Sequence, residues 1–202
     1  MMKYLFDHLE QVYSRLKGAP HTLLLLDYDG TLVPIAREPS LARLPAERRE
    51  LLEDLSEREG ISTAIVTGRS LGEIRGLVGI EGLTYVGNHG LEILFEGETW
   101  VHPGAERLRP ALKRVAQKLK GELATIEGIV IEDKGLSLAI HYRQVAGRPA
   151  RGLRKAISEA IKPYRGLFRI TWGKKVYEVR PAVDWDKGKA VAKLSEMLAI
   201  PG

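Results

Sequence analysis

Cysteine is absent from this chain of 202 residues. That single absence removes disulfides, thiolate metal sites and cysteine nucleophiles together. Long hydrophobic runs are missing as well: no apolar stretch approaches the ~20 residues that a membrane-spanning helix needs. The first residues, MMKYLFDHLEQVYSRLKG, do not form a secretory leader, because Asp7, His8 and Glu10 interrupt any apolar region. Their Leu5, Leu9, Val12 and Leu16 recur instead at helical spacing, with Gly18 as a stop. A cytoplasmic location is the expectation. Aromatic residues make up only 6% of the chain, and internal repeats and low-complexity tracts are lacking. Lysine and arginine outnumber acids by 31 to 26, yet the basic residues alternate with acids, as in PAERRELLEDLSEREG. A nucleic-acid surface needs a basic stripe interleaved with aromatics, so no nucleic acid is expected as a partner. A modest positive balance suits an enzyme acting on anionic small molecules equally well.

What is present is an ordinary globular composition, 44% hydrophobic and 28% charged. The first third alternates between two periodicities. LLLL (23–26) reads as a strand buried on both faces of a parallel sheet. PAERRELLEDLSERE (45–59) reads as an amphipathic helix, opened by Pro45 and closed by Gly60. ISTAIVT, LGEIRGLV and LTYVG continue as strand, helix and strand, a βαβαβ order that argues for an open parallel α/β sheet. From about residue 91 hairpins take over, with turns expected at Glu96-Gly97, at Asp133-Lys134-Gly135 and at Gly173-Lys174. Two helices, GAERLRPALKRVAQKLKG and RGLRKAISEAIKPY, lie between them, and DWDKGKAVAKLSEML is a last helix. The expected fold class is α/β: a parallel-sheet, Rossmann-like core (1–90 and 181–202) with an inserted α+β cap (91–180). The cleft between two such units is a natural place for a small ligand.

Ligands of open α/β sheets bind beyond the carboxyl ends of the strands. There the sequence places Asp27 and Asp29, in TLLLLDYDGTL, and Thr67, in TGRS. A carboxylate at the end of a buried strand is costly unless something binds it. Two acids one residue apart can supply a nucleophile and a proton shuttle, and can share a divalent ion, for which hard oxygen ligands favour Mg²⁺. A calcium loop is the rival reading, with Asp27, Asp29 and Glu38 at its first, third and twelfth positions. It fails at the sixth, where Leu32 stands in place of the required glycine.

Asp27-x-Asp29-Gly-Thr, the strand-terminal Thr67 and Lys187 in DKGKAV, taken together, resemble the haloacid dehalogenase superfamily of phosphatases. Within it the chain is most similar to the trehalose-6-phosphate phosphatase family, through DYDGTLVPI, VTGRS, VGNHGLE, IEDKGLSLAIHYR and VYEVRP followed by DKG. The resemblance implies that Asp27 attacks phosphorus and forms an aspartyl-phosphate. Asp29 would protonate the leaving alcohol, Thr67 and Lys187 would hold phosphoryl oxygens, and Mg²⁺ would sit on Asp27 and Asp29. Glu132, Lys134 and Glu178 would grip sugar hydroxyls from the cap, as carboxylates and amines can. Arg69 and His89, which follow the second and third strands, are expected to contact substrate; His141 and Arg143 are left outside the expected site. The implied substrate is trehalose 6-phosphate, with sucrose phosphate or a glycosyl-glycerate phosphate as alternatives and a trehalose-phosphate synthase as the candidate protein partner.

One departure stands out. The superfamily has a fourth motif, an acidic pair on a strand after the lysine helix, and no such pair follows Lys187. Asp184 and Asp186 precede that lysine and are poor substitutes. The expectation is a natural protein that continues beyond Gly202. The alternatives are an acid borrowed from a partner subunit, or a relative that binds a sugar phosphate without hydrolysing it.

Overall fold

A computed structural model describes residues 4–36, 41–146 and 150–199. Its strands form two sheets, one of five strands in the order β1-β2-β3-β4-β5 and one of four in the order β6-β7-β9-β8. In the first, β1 (Thr22–Leu26), β2 (Ile61–Val66) and β3 (Thr84–Gly87) run parallel. The antiparallel hairpin β4 (Glu92–Phe95) and β5 (Glu98–Val101) extends it past β3. That hairpin, grouped by sequence with the insert, is therefore hydrogen-bonded into the first sheet. Glu96 and Gly97, both at positive φ, make its two-residue turn and leave the chain no room to depart.

Helix α2 (Ala46–Ser56) and helix α3 (Leu71–Val78) cover one face of this sheet, burying Leu52, Ile65, Ile74 and Tyr85 together. α7 (Lys187–Met197) covers the other, through Ala190 and Leu194 against Ala64, Val66 and Ile93. Ser70 caps α3 by accepting from the Glu73 amide, and Gly79, in the left-handed region, ends it.

The leucine run does not behave as a strand buried on both faces. β1 pairs only with β2 and is an edge of the sheet among the described residues. Leu23 and Leu24 are half-buried and Leu25 is 37% exposed. The amino-terminal helix α1 (Leu9–Gly18) forms as its spacing predicts, but Leu5, Leu9 and Leu16 are about half exposed rather than packed. No helix among the described residues is long and apolar enough to cross a membrane.

The second sheet follows α4 (Pro103–Glu106) and α5 (Arg109–Glu122), with Pro110 in the first turn of α5. A proline lacks the amide that a helix interior needs but is tolerated in a first turn, so one expected helix becomes two. β6 (Val130–Asp133), β7 (Leu138–His141), β8 (Phe168–Gly173) and β9 (Val176–Pro181) are wholly antiparallel. Alternation divides the faces. Leu138, Ile140, Phe168, Tyr177 and Val179 pack against α5 and α6 (Ala150–Ile161), where Leu112, Leu119 and Ile157 are buried. The opposite face carries Glu132, Ala139, Glu178 and Thr171 in one cross-strand row. A polar row on a sheet face implies that this face meets something polar, and it meets the carboxyl ends of β1–β3.

Candidate active site

Asp27 is the first residue after β1, and its Oδ1 accepts from Nζ of Lys187 at 2.6 Å, across 160 residues of sequence. The same ammonium also donates to the Val66 carbonyl, 3.3 Å away at the end of β2. Lys187 is the first residue of α7, placed there because the Asp186 carboxylate accepts from the Lys189 amide and caps the helix. Asp184 meanwhile pairs with Lys189. Both aspartates before the lysine thus serve α7 locally.

Asp29 takes both of its hydrogen bonds from one arginine: Nε of Arg69 at 2.8 Å and a terminal nitrogen at 2.6 Å. This is the two-pronged guanidinium–carboxylate geometry that holds a carboxylate in a fixed plane. Arg69 is nearly buried, also donates to Glu73 and lies over the Tyr28 ring. Burial disfavours its charge, but the two carboxylates more than compensate and its pKa is raised. Burial also raises the Glu73 carboxyl, in spite of Arg69. Thr67 is almost wholly buried, and its hydroxyl accepts from the Arg69 amide at 3.2 Å. Its oxygen therefore fixes the turn that delivers Arg69. Gly68 in that turn has no space for a side chain, because a Cβ would lie 2.5 Å from the His89 ring.

The second sheet closes on these loops through a set of polar contacts. His89 Nε2 lies 3.2 Å from Glu178, and Nζ of Lys134 donates to the Gly68 carbonyl at 3.0 Å while standing 3.7 Å from Glu178. Burial pushes the Glu178 carboxyl up, but His89, Lys134 and Arg180 outweigh it and hold the group down to about 2. Glu132 pairs with His141 at 3.0 Å. Burial again opposes its charge, and His141 with Lys134 prevails, leaving its pKa lowered.

Asp27, Asp29, Thr67, Arg69 and Lys187 are therefore gathered at one end of the first sheet, and His89, Lys134 and Glu178 join the second sheet to it. Beside them a cavity of about 320 Å³ is lined by Asp29, Arg69, Glu132, Lys134, His141 and Arg143. His141 and Arg143, left out on sequence, belong to this lining. Alternation along β7 put them on one face, and only the sheet's placement shows which. A larger cavity of about 880 Å³ lies at the opposite, amino-terminal ends of β2 and β3, away from all of these groups.

Sequence reasoning also passed over Asn88. Fully buried and at a φ of 48°, it donates to Glu92 at 2.7 Å and to the Lys134 carbonyl at 3.0 Å, and accepts from Ser137 at 2.7 Å. Glu92 accepts in turn from the Leu71 amide. Asn88 thus locks the β6–β7 tip, and so Lys134, onto the core loop. The signal was an asparagine before His-Gly in GNHG, a composition suited to a left-handed turn.

Among the described residues no group of three or more metal-ligating side chains occurs. Asp27 and Asp29 nonetheless fit a hard cation that is held by one or two carboxylates and completed by substrate oxygens and water, the usual arrangement for Mg²⁺. Glu38, the last ligand of the rejected calcium reading, lies outside the described residues.

Comparison with known proteins agrees with this geometry. Residues 25–200 match the family model of the trehalose-phosphatases. The chain is 32% identical over 201 residues to trehalose-phosphate phosphatase B of Arabidopsis thaliana, covering 94% of itself and 52% of that protein. It is 36% identical over 169 residues to the trehalose-phosphate phosphatase of Mycobacterium tuberculosis (strain ATCC 25618 / H37Rv), covering 83% of itself and 42% of the relative. The chain thus spans about half the length of the curated relatives it matches. Among solved structures, a trehalose-6-phosphate phosphatase related protein superposes with a TM-score of 0.78 at 28% identity, over 86% of this chain and 73% of that one. The C-terminal domain of the Candida albicans trehalose-6-phosphate phosphatase, at 22% identity and a TM-score of 0.73, shares the fold over 93% of this chain and 66% of its own. With residues 25–200 of its 202 matching the family model, the chain belongs to the trehalose-phosphatase family.

Proposed function

We propose that this protein hydrolyses trehalose 6-phosphate to trehalose and phosphate, with Asp27 as nucleophile. The observation that carries the reading is the Asp27–Lys187 pair, which joins the end of β1 to the start of α7 and sets an ammonium against one carboxylate oxygen. The other oxygen is then the one to attack phosphorus: an Asp27 O–P bond forms while the bond from phosphorus to the sugar oxygen breaks. Asp29 gives its proton to the leaving oxygen and later takes one from the water that bonds to phosphorus as the Asp27 O–P bond breaks, which releases phosphate and restores the Asp27 carboxylate. Arg69 donates but cannot accept, so the pairing in this structure suits the second step. The first requires Arg69 to release one Asp29 oxygen. Lys187 and the Thr67 O–H stabilise the equatorial oxygens. Mg²⁺, when bound by Asp27 and Asp29, would neutralise charge on the phosphoryl group. We take residues 1–90 and 181–202 as the catalytic unit and the rest as its cap, with β4–β5 as the cap's attachment to the core sheet.

The sugar is proposed to lie under Glu132 and Glu178 of the cap row and Lys134 at the β6–β7 tip, with His89 and Arg69 beneath it. In this structure those groups satisfy one another, so substrate hydroxyls have to replace the His141–Glu132 and His89–Glu178 contacts. Steady-state kinetics on trehalose 6-phosphate and on p-nitrophenyl phosphate test the assignment. Glu132→Gln and Glu178→Gln should raise KM for the disaccharide phosphate by about tenfold or more, the effect of losing a charged hydrogen bond, and leave the aryl phosphate near wild type. Equal losses on both substrates would refute the sugar grip. A panel including sucrose phosphate and a glycosyl-glycerate phosphate identifies the preferred sugar.

A further inference from the structure

Three buried side-chain polar atoms among the described residues lack a hydrogen-bond partner, and two of them, Oγ1 of Thr171 and Nε of Arg180, are neighbours. Both lie on the face of the second sheet that carries Glu178. Thr171 stands directly opposite Glu178 on the adjacent strand, and Arg180 lies two residues beyond Glu178, directly opposite Arg169. Two arginines facing each other across a strand pair repel, an arrangement that is unfavourable unless an anion lies between them. Glu178, the nearby carboxylate, already serves His89 and Lys134. Its charge reaches Arg180 through space, but no hydrogen bond joins them among the described residues. Arg169 donates to the Trp185 carbonyl, and Trp185 to the Gly90 carbonyl, so Arg169 lies near the His89 loop and the segment that leads into α7. A guanidinium has five donors and no acceptor, and a buried one without a partner is a cost that an anion would offset.

We propose that Arg169 and Arg180 form an anion site on the cleft-facing side of the cap sheet that binds a tetrahedral phosphoryl group, with Thr171 donating its hydroxyl. The geometry suits it: planar forks on adjacent strands can each offer paired N–H groups to a tetrahedral oxyanion. Burial and Arg169 both lower the pKa of the Arg180 guanidinium against the pull of Glu178, and an anion between the arginines would relieve that repulsion. The ligand is free inorganic phosphate, because the substrate's own phosphoryl group is assigned to Asp27, Thr67 and Lys187. The site does not depend on which sugar the enzyme prefers, and its test needs no turnover.

The test follows the ¹⁵N Nε–H resonance of Arg180, assigned by its loss in Arg180→Lys, while inorganic phosphate is titrated into the protein at constant ionic strength. We expect a saturable shift in the wild type, weakened by about tenfold or more in Arg169→Gln with the melting temperature retained. The same shift in Lys187→Ala would show a phosphate site separate from the catalytic carboxylates. A shift that requires Lys187 would place the phosphate beside Asp27 instead and overturn the proposal. A resonance that phosphate leaves unmoved, or that chloride moves as far, overturns the proposal. Loss of hydrolysis alone, with the shift intact, would sink the catalytic reading and leave this site standing.

Discussion

Glu178 carries the clearest electrostatic signature in the molecule, a carboxyl held at about 2 although burial opposes its charge. Its folded-state pKa is depressed, so the stability it contributes is present in full above its ordinary value of 4.5 and fades as pH falls towards about 2. Glu178→Gln should accordingly flatten the stability profile below pH about 4.5 relative to wild type, measured as urea midpoints across that range. Parallel profiles for the two proteins would mean that the His89–Glu178–Lys134 cluster does not hold the carboxylate as described. What spacing and motif order could suggest at this scale was proximity: Asp27 and Lys187 meet, Thr67 meets Arg69, and His89 and Lys134 meet Glu178. What was not readable is pairing: that Arg69 forks Asp29, or that His141 rather than a cation from the core partners Glu132. Such pairings depend on which faces of two sheets meet, and residue spacing within one strand is silent about that.

Elements decide how firmly these side chains are held. The β6–β7 tip is tied to the core loop by Asn88, whose side chain serves Glu92, Lys134 and Ser137 at once. Asn88→Ala would strand buried partners and place alanine at a φ of 48°. It should cost about 3 kcal/mol of stability and raise amide exchange across 134–137, by hydrogen-exchange mass spectrometry. Unchanged exchange at the tip would show that Lys134 is held by something else. Element type was mostly legible, α3 residue for residue and α7 to within a turn. Two misreadings have plain causes. The hairpin at 92–101 looked like the opening of an insert because its period changes from that of β1–β3, yet hydrogen bonding to β3 makes it part of the first sheet. The leucine run looked doubly buried because composition does not reveal how many neighbours a strand has, and β1 has one among the described residues.

At the scale of the molecule, two sheets meet edge loops to polar face, and the groups that would perform chemistry come from both sides of the seam. Asp27 and Lys187 lie far apart in sequence and 2.6 Å apart in space, so the fold exists, in this reading, to close that gap. Contacts of His89, Asn88 and Gly68 with the second sheet place its polar row directly above them. The sequence signalled the order of the parts and the family. It did not show that Glu132 and Glu178 are engaged with histidines, because that follows from closure of one sheet on the other. The central claim is that Asp27 is the nucleophile of a trehalose 6-phosphate phosphatase. The most direct test measures phosphate released from trehalose 6-phosphate by the wild-type protein with Mg²⁺ and by Asp27→Asn, whose fold is checked by its melting temperature. The account predicts release by the wild type and none above background by the folded variant. Turnover retained in Asp27→Asn would contradict it.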